Sequence, residues 1–166
     1  VGMRRLKASA HTYMIDLPYS ETELCQATTA LLAKNEIRDS AYIRPVAFKA
    51  LGSIDLDFRE VPTWVAIVAF PFNKYFAKEG LDVCVSSWRK ACEPSVPSLA
   101  KASGHYINAC LAKVEAKKNG FDEAILLDHR GFVSEGTGAN IFIAKNGILH
   151  TPPLSAGILE GVTRDC

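Results

Sequence analysis

The stretch VSSWRKACEPSVPSLAKASGHY, Val85–Tyr106, is where the pattern of the chain changes. Its first residues continue a β-rich run, LDVCVSSW, that ends at Trp88. Arg89–Pro97 reads as an irregular link, with Pro94 and Pro97 as breakers. Lys101 then stands among alanines, serine and glycine, and a helix is expected over roughly 102–118. In that helix Ile107, Cys110, Leu111 and Val114 form an apolar stripe, and Gly120 suits the position just past its end. A boundary between two lobes therefore falls near 90–100. The expected organisation is 1–93 as a small N-terminal α/β lobe, 94–100 as link, and 101–166 as the start of a larger lobe.

Upstream, residues 2–15 read as an amphipathic helix. Ser20-Glu21-Thr22-Glu23 is a capping box, followed by a face of Leu24, Cys25, Thr28, Leu31 and Leu32, with Asn35 as the stop. The period then changes to that of strands in SAYIRPVAFKAL, where Pro45 indicates an edge or a bulge, and in TWVAIVAF. Downstream, EAILLD, FVSEG, ANIFIA and ILHT read as short strands, and Asn146-Gly147 favours a tight hairpin turn. Strands and helices do not alternate regularly, which disfavours a doubly wound parallel sheet and favours a two-lobed α+β fold.

Composition excludes several classes. The chain has 166 residues, enough for one good core or two small lobes. With 48% apolar and 22% charged residues it fits a globular fold rather than a disordered one. A net charge of +1 points to no nucleic-acid or membrane surface. No apolar run reaches the ~20 residues of a membrane span. Cys25, Cys84, Cys92, Cys110 and Cys166 form no CxxC pair and read as reduced thiols of an intracellular, by default cytoplasmic, protein. The four histidines lack metal spacing, so no metal site is expected. Both ends look cut, and a fragment is the expectation.

Four places could carry chemistry. Lys101 is either a surface lysine at a helix start or an amine that small neighbours keep accessible to a flat ligand. Glu135 ends a strand before GTGAN; it is either a solvated turn residue or a carboxylate for a cationic ring nitrogen. Gly161, Val162 and Thr163 open a helix, either an ordinary one or an anion site made by free amides. Tyr42 and Arg44 share one strand face, either exposed or able to hold carboxylates.

Together these residues resemble the class IV pyridoxal-phosphate aminotransferases, most of all the branched-chain amino acid aminotransferases. The resemblance is carried by SAYIRPVAF, VSSWRKACEPSVPSLAKASGHY, EAKKNGFDEAILLDHRGFVSEGTGANIF and GILHTPPLSAGILEGVTRD, in matching order and spacing over nearly the whole chain. It implies the two-lobed fold of that class, truncated at both ends. It also implies pyridoxal 5'-phosphate as cofactor and transamination between branched-chain L-amino acids and 2-oxoglutarate. Lys101 matches the lysine that forms the Schiff base, Glu135 the carboxylate facing the pyridine nitrogen, and Tyr106 the tyrosine near the ring hydroxyl. Gly161, Val162 and Thr163 match the phosphate-binding helix start. Tyr42 and Arg44 resemble the residues that hold substrate carboxylates, and Trp88 an aromatic wall of the side-chain pocket. A homodimer or higher homo-oligomer is implied, with amino acids and 2-oxo acids as small-molecule partners. D-amino acid aminotransferase and aminodeoxychorismate lyase share the lysine and the glutamate, and a non-catalytic relative keeping the fold is a further reading. His105 departs from the usual asparagine, and Glu160 from a common proline. An upstream phosphate-binding arginine and downstream residues of the family are not in these 166 residues, so this length alone is expected to bind cofactor poorly.

Overall fold

The computed structural model describes residues 2–74, 78–91 and 93–165. Two compact units divide the chain, Val1–Ala77 and Lys78–Cys166. In the first, helix α1 (Gly2–Thr12) and helix α2 (Glu21–Lys34) precede strands β1 (Ala41–Lys49) and β2 (Thr63–Pro71). The capping box at the start of α2 is complete: the Glu23 amide donates to Ser20 Oγ at 3.2 Å, and the Ser20 amide donates to Glu23 Oε2 at 2.8 Å. Those two bonds satisfy donors that a helix start otherwise leaves unpaired. Of the face expected on α2, Leu24 and Thr28 are buried and Cys25 is exposed. Asn35 is the C-cap, as its position suggested.

Strands β1 and β2 form an antiparallel pair in unbroken register, from Ala41↔Pro71 to Lys49↔Thr63. Pro45, which cannot donate to a ladder, lies opposite Ile67 in this two-stranded sheet, where among the described residues each strand has an open edge.

The second unit holds strand β3 (Val83–Arg89), helix α3 (Tyr106–Lys118), strand β4 (Glu123–Leu127), strand β5 (Val133–Gly136), the hairpin of β6 (Ile143–Lys145) and β7 (Ile148–His150), and the short helix α4 (Val162–Asp165). One sheet runs β3-β4-β5, with β3 parallel and β5 antiparallel to β4. A single β-α-β connection thus produces one parallel pair within a mixed sheet. The compact unit begins at Lys78, whereas the boundary was expected near 90–100. The cause is the β3–β4 ladder, a long-range pairing that ties LDVCVSSW to residues 123–127.

Helix α3 reverses one expectation. Its buried residues are Ala109, Ala112 and Ala116. The stripe of Ile107, Cys110, Leu111 and Val114 is exposed and lines a shallow groove. Alanines bring the helix backbone close to the sheet, and Ala112 and Ala116 pack with Ala124 and Leu126 of β4 and Cys84 of β3. The hairpin turn is as its sequence suggested: Asn146 at φ 53° and Gly147 at φ 75° supply the two left-handed residues of the tightest connection. Cys92 and Cys166 lie outside the described residues, and Cys25, Cys84 and Cys110 are free thiols. Among the described residues, no helix is long and apolar enough to cross a membrane.

Candidate active site

Lys101 lies just before a single 3-10 turn, Ser103–His105, that leads into α3. The turn brings residues five apart together: Lys101 Nζ donates to the Tyr106 hydroxyl and stands 5.0 Å from the centre of the Tyr106 ring. Lys101 is exposed and Tyr106 is half-buried. The amine is therefore accessible to a solute while its position is set by a phenol. His105 precedes this tyrosine. Burial pushes its imidazole below the ordinary range, and the nearby Lys90 charge pushes the same way; a bond with the Ala100 backbone opposes both.

Glu135 is built differently. Strand β5 carries it into the interior, where its side chain is 8% exposed. Its Oε1 lies 2.6 Å from Lys90 Nζ, and Lys90 is itself 13% exposed. Its Oε2 accepts from Asn140 Nδ2 at 3.1 Å and from the Leu159 amide at 3.1 Å. A carboxylate this buried needs hydrogen-bond or ionic partners, and here it has both.

Asn140 joins two predicted places. Besides Glu135, its Nδ2 donates to the Leu159 carbonyl at 3.0 Å. Its Oδ1 packs so tightly on Gly161 that a Cβ there would sit 1.9 Å away. Gly161 is thus a glycine because the asparagine occupies the space of any side chain. The carboxylate and the residues before α4 are in this way one connected structure. Val162 and Thr163 form the first turn of α4, and the amides of a first turn have no acceptor within their own helix.

Tyr42 and Arg44 belong to the first unit. On β1 they face the same way, with Arg44 Nη2 donating to the Tyr42 hydroxyl at 2.6 Å and Nε donating at 3.1 Å. Tyr42 stacks on Phe70 at 5.2 Å and meets Phe72 edge-on. Trp88, read from sequence with the first lobe, is on β3 of the second unit and is 45% exposed.

Lys90, Asn140 and the Leu159 amide were not singled out from sequence. Asn140 carried a faint signal, because it follows the Gly-Thr-Gly turn after Glu135. Lys90 carried none, since Arg89-Lys90 reads as a basic pair ending a strand.

The family model for "Amino-transferase class IV" matches residues 3–166. A "Probable branched-chain-amino-acid aminotransferase" of Aquifex aeolicus is 42% identical over 162 residues, covering 97% of this chain and 52% of that protein. The branched-chain aminotransferase of the archaeon Thermoproteus uzoniensis, solved with norvaline, superposes with a TM-score of 0.94 at 46% identity, covering 98% of this chain and 55% of its own. The branched-chain amino acid aminotransferase of Thermobaculum terrenum in its "PLP-form (holo-form)" gives a TM-score of 0.91 at 35% identity, covering 98% of this chain and 53% of its own. The chain spans about half the length of the relatives it matches. With the α+β fold, the Lys101–Tyr106 pair and the buried Glu135 in place, the match from residue 3 to residue 166 means that the chain belongs to the class IV aminotransferases.

Proposed function

We propose that this chain is part of a pyridoxal-phosphate-dependent branched-chain amino acid transaminase, exchanging amino groups between Leu, Ile or Val and 2-oxoglutarate. The observation that carries the reading is the accessible Lys101 amine held on the Tyr106 hydroxyl.

The donor set fits the cofactor. Two carboxylate oxygens offer about four acceptor places, and among the described residues three donors use them at Glu135. A place remains for a ring N–H. An amine for the aldehyde and the amides of Val162 and Thr163 for the phosphate complete the set. When bound, pyridoxal phosphate supplies an aldehyde that captures amines and a ring that accepts the electron pair released at the substrate α-carbon.

The residues of the chain have separate roles in this reading. Lys101 Nζ is the nucleophile and later the base that carries the α-proton. The Tyr106 hydroxyl positions that amine and partners the ring oxygen. The buried Glu135 carboxylate keeps the ring nitrogen protonated, and Asn140 and the Leu159 amide keep the carboxylate aimed. Gly161 gives Asn140 room beside the phosphate-binding turn. By the family resemblance, Tyr42 offers a phenol to the substrate α-carboxylate and Arg44 a guanidinium to the second carboxylate of glutamate. Trp88 contributes apolar surface to the substrate side chain.

The test uses the full-length protein that contains this chain. Incubation with pyridoxal phosphate and borohydride should attach the cofactor covalently at Lys101, read by peptide mass spectrometry and lost in Lys101→Ala. L-glutamate with 2-oxoisocaproate should give leucine. Turnover of D-alanine instead would overturn the branched-chain reading, and no cofactor adduct in the wild type would favour a non-catalytic protein keeping the fold.

A further inference from the structure

We propose that Lys90 is a built-in counter-ion that moderates the pull of Glu135 on a cationic ring nitrogen, and so acts as a positioning residue through that carboxylate. This rests on the reading of Glu135 given under the proposed function.

Lys90 is placed by long-range contacts. Its amide donates to the Leu127 carbonyl at 2.8 Å, extending the β3–β4 pairing by one residue. Asn108 of α3 grips the backbone on both sides of it: Nδ2 donates to the Arg89 carbonyl at 2.9 Å, and the Ala91 amide donates to Oδ1 at 3.2 Å. A lysine whose backbone is tied to a strand and a helix, and whose side chain is 13% exposed, is not a solvated surface residue. Its ammonium ends 2.6 Å from Glu135 Oε1.

What this contact adds can be separated from what the other donors already do. Asn140 and the Leu159 amide, both at 3.1 Å on Oε2, orient the carboxylate without Lys90. They are neutral, so they do not cancel its charge. Lys90 does. Charges this close and this poorly solvated couple strongly. A ring nitrogen that meets Glu135 therefore meets a carboxylate already shared with one cation, and the Lys90 charge opposes placing a second positive charge beside it. Removing the charge while keeping a donor should make the carboxylate hold a protonated ring more strongly.

The experiment compares full-length wild type with Lys90→Gln, which keeps a donor and loses the charge, and Lys90→Arg, which keeps both. Each apoprotein is titrated with pyridoxal phosphate and with the deaza analogue in which CH replaces the ring nitrogen. The readout is the ratio of the two dissociation constants. Wild type should prefer pyridoxal phosphate, Lys90→Gln should widen that preference about tenfold, and Lys90→Arg should stay within about threefold of wild type. An unchanged or narrowed ratio in Lys90→Gln overturns the proposal while leaving the role of Glu135 intact. Equal binding of both compounds by the wild type overturns the role of Glu135 itself, and the proposal with it. Should Lys90→Gln not fold, Lys90→Met takes its place: a widened ratio supports the moderating charge, and an unchanged or narrowed ratio overturns it.

Discussion

Lys101 and Glu135 are the two ends of the proposed chemistry, and the protein holds them in opposite ways. Lys101 is exposed, and its partner Tyr106 is five residues away across one turn. Glu135 is 8% exposed, and its donors come from residues 90, 140 and 159, on a strand end and two loops. The comparison separates reactivity from framework. In the proposed chemistry the amine is reached by substrate and moves protons, which suits a local, open structure. The carboxylate only has to keep its charge and direction, so it can be buried and tied from several sides. It follows that changes at Lys101 should affect chemistry without affecting folding, and changes around Glu135 should affect both.

The largest effect is expected for Lys101→Ala. Transamination by the full-length protein should fall by at least about a thousandfold, or about 4 kcal/mol of activation free energy. Stability should change by less than about 0.5 kcal/mol, as for other exposed positions. A large drop in the urea midpoint would break the comparison, because it would make the lysine structural.

Next is Asn140→Ala. It removes a donor from a buried carboxylate and from the Leu159 carbonyl, and should cost about 2 kcal/mol of stability in urea unfolding as well as cofactor affinity. Normal stability with lost affinity would show that the framework reading of Glu135 is wrong.

A smaller effect is expected for Tyr106→Phe. The ring packing is kept and the hydroxyl that Lys101 meets is lost, so turnover should fall about tenfold, near 1.4 kcal/mol, with the unfolding midpoint unchanged. Equal turnover would remove Tyr106 from the amine's environment.

The smallest effect concerns His105. Burial, aided by Lys90, holds its folded-state pKa below the unfolded value. The associated stability is present above about pH 6.5 and is lost as pH falls through the folded-state value. Replacing His105 by Asn should flatten that part of the urea midpoint against pH by a small amount, because the ring is only half-buried. An unchanged slope would mean that Lys90 and burial do not act on the imidazole.

The same division, local against long-range, explains how much could be read from the chain alone. The capping box at Ser20, the stop at Asn35, the two long strands of the first unit and the Asn146-Gly147 turn depend on residues a few positions apart, and the structure has them where the sequence suggested. The face of α3 did not follow its hydrophobicity. Ile107, Leu111 and Val114 are the more apolar residues, yet alanines at 109, 112 and 116 face the sheet. Close packing of helix on strand selects small volume over large apolar area, and a pattern count sees only the second.

The sequence by itself determined the α+β character, the family resemblance, and the residue types at 101, 106 and 135, because motif spacing and local periodicity are properties of the chain. Only the tertiary structure decided that β3 joins β4, that Lys90 pairs with Glu135, and that Asn140 binds the carboxylate to the turn at Gly161. Apart from Asn140 with Glu135, five residues away, those contacts join residues 21 to 45 positions apart. Their geometry depends on how sheet, helix and turn pack, which no short window of sequence contains.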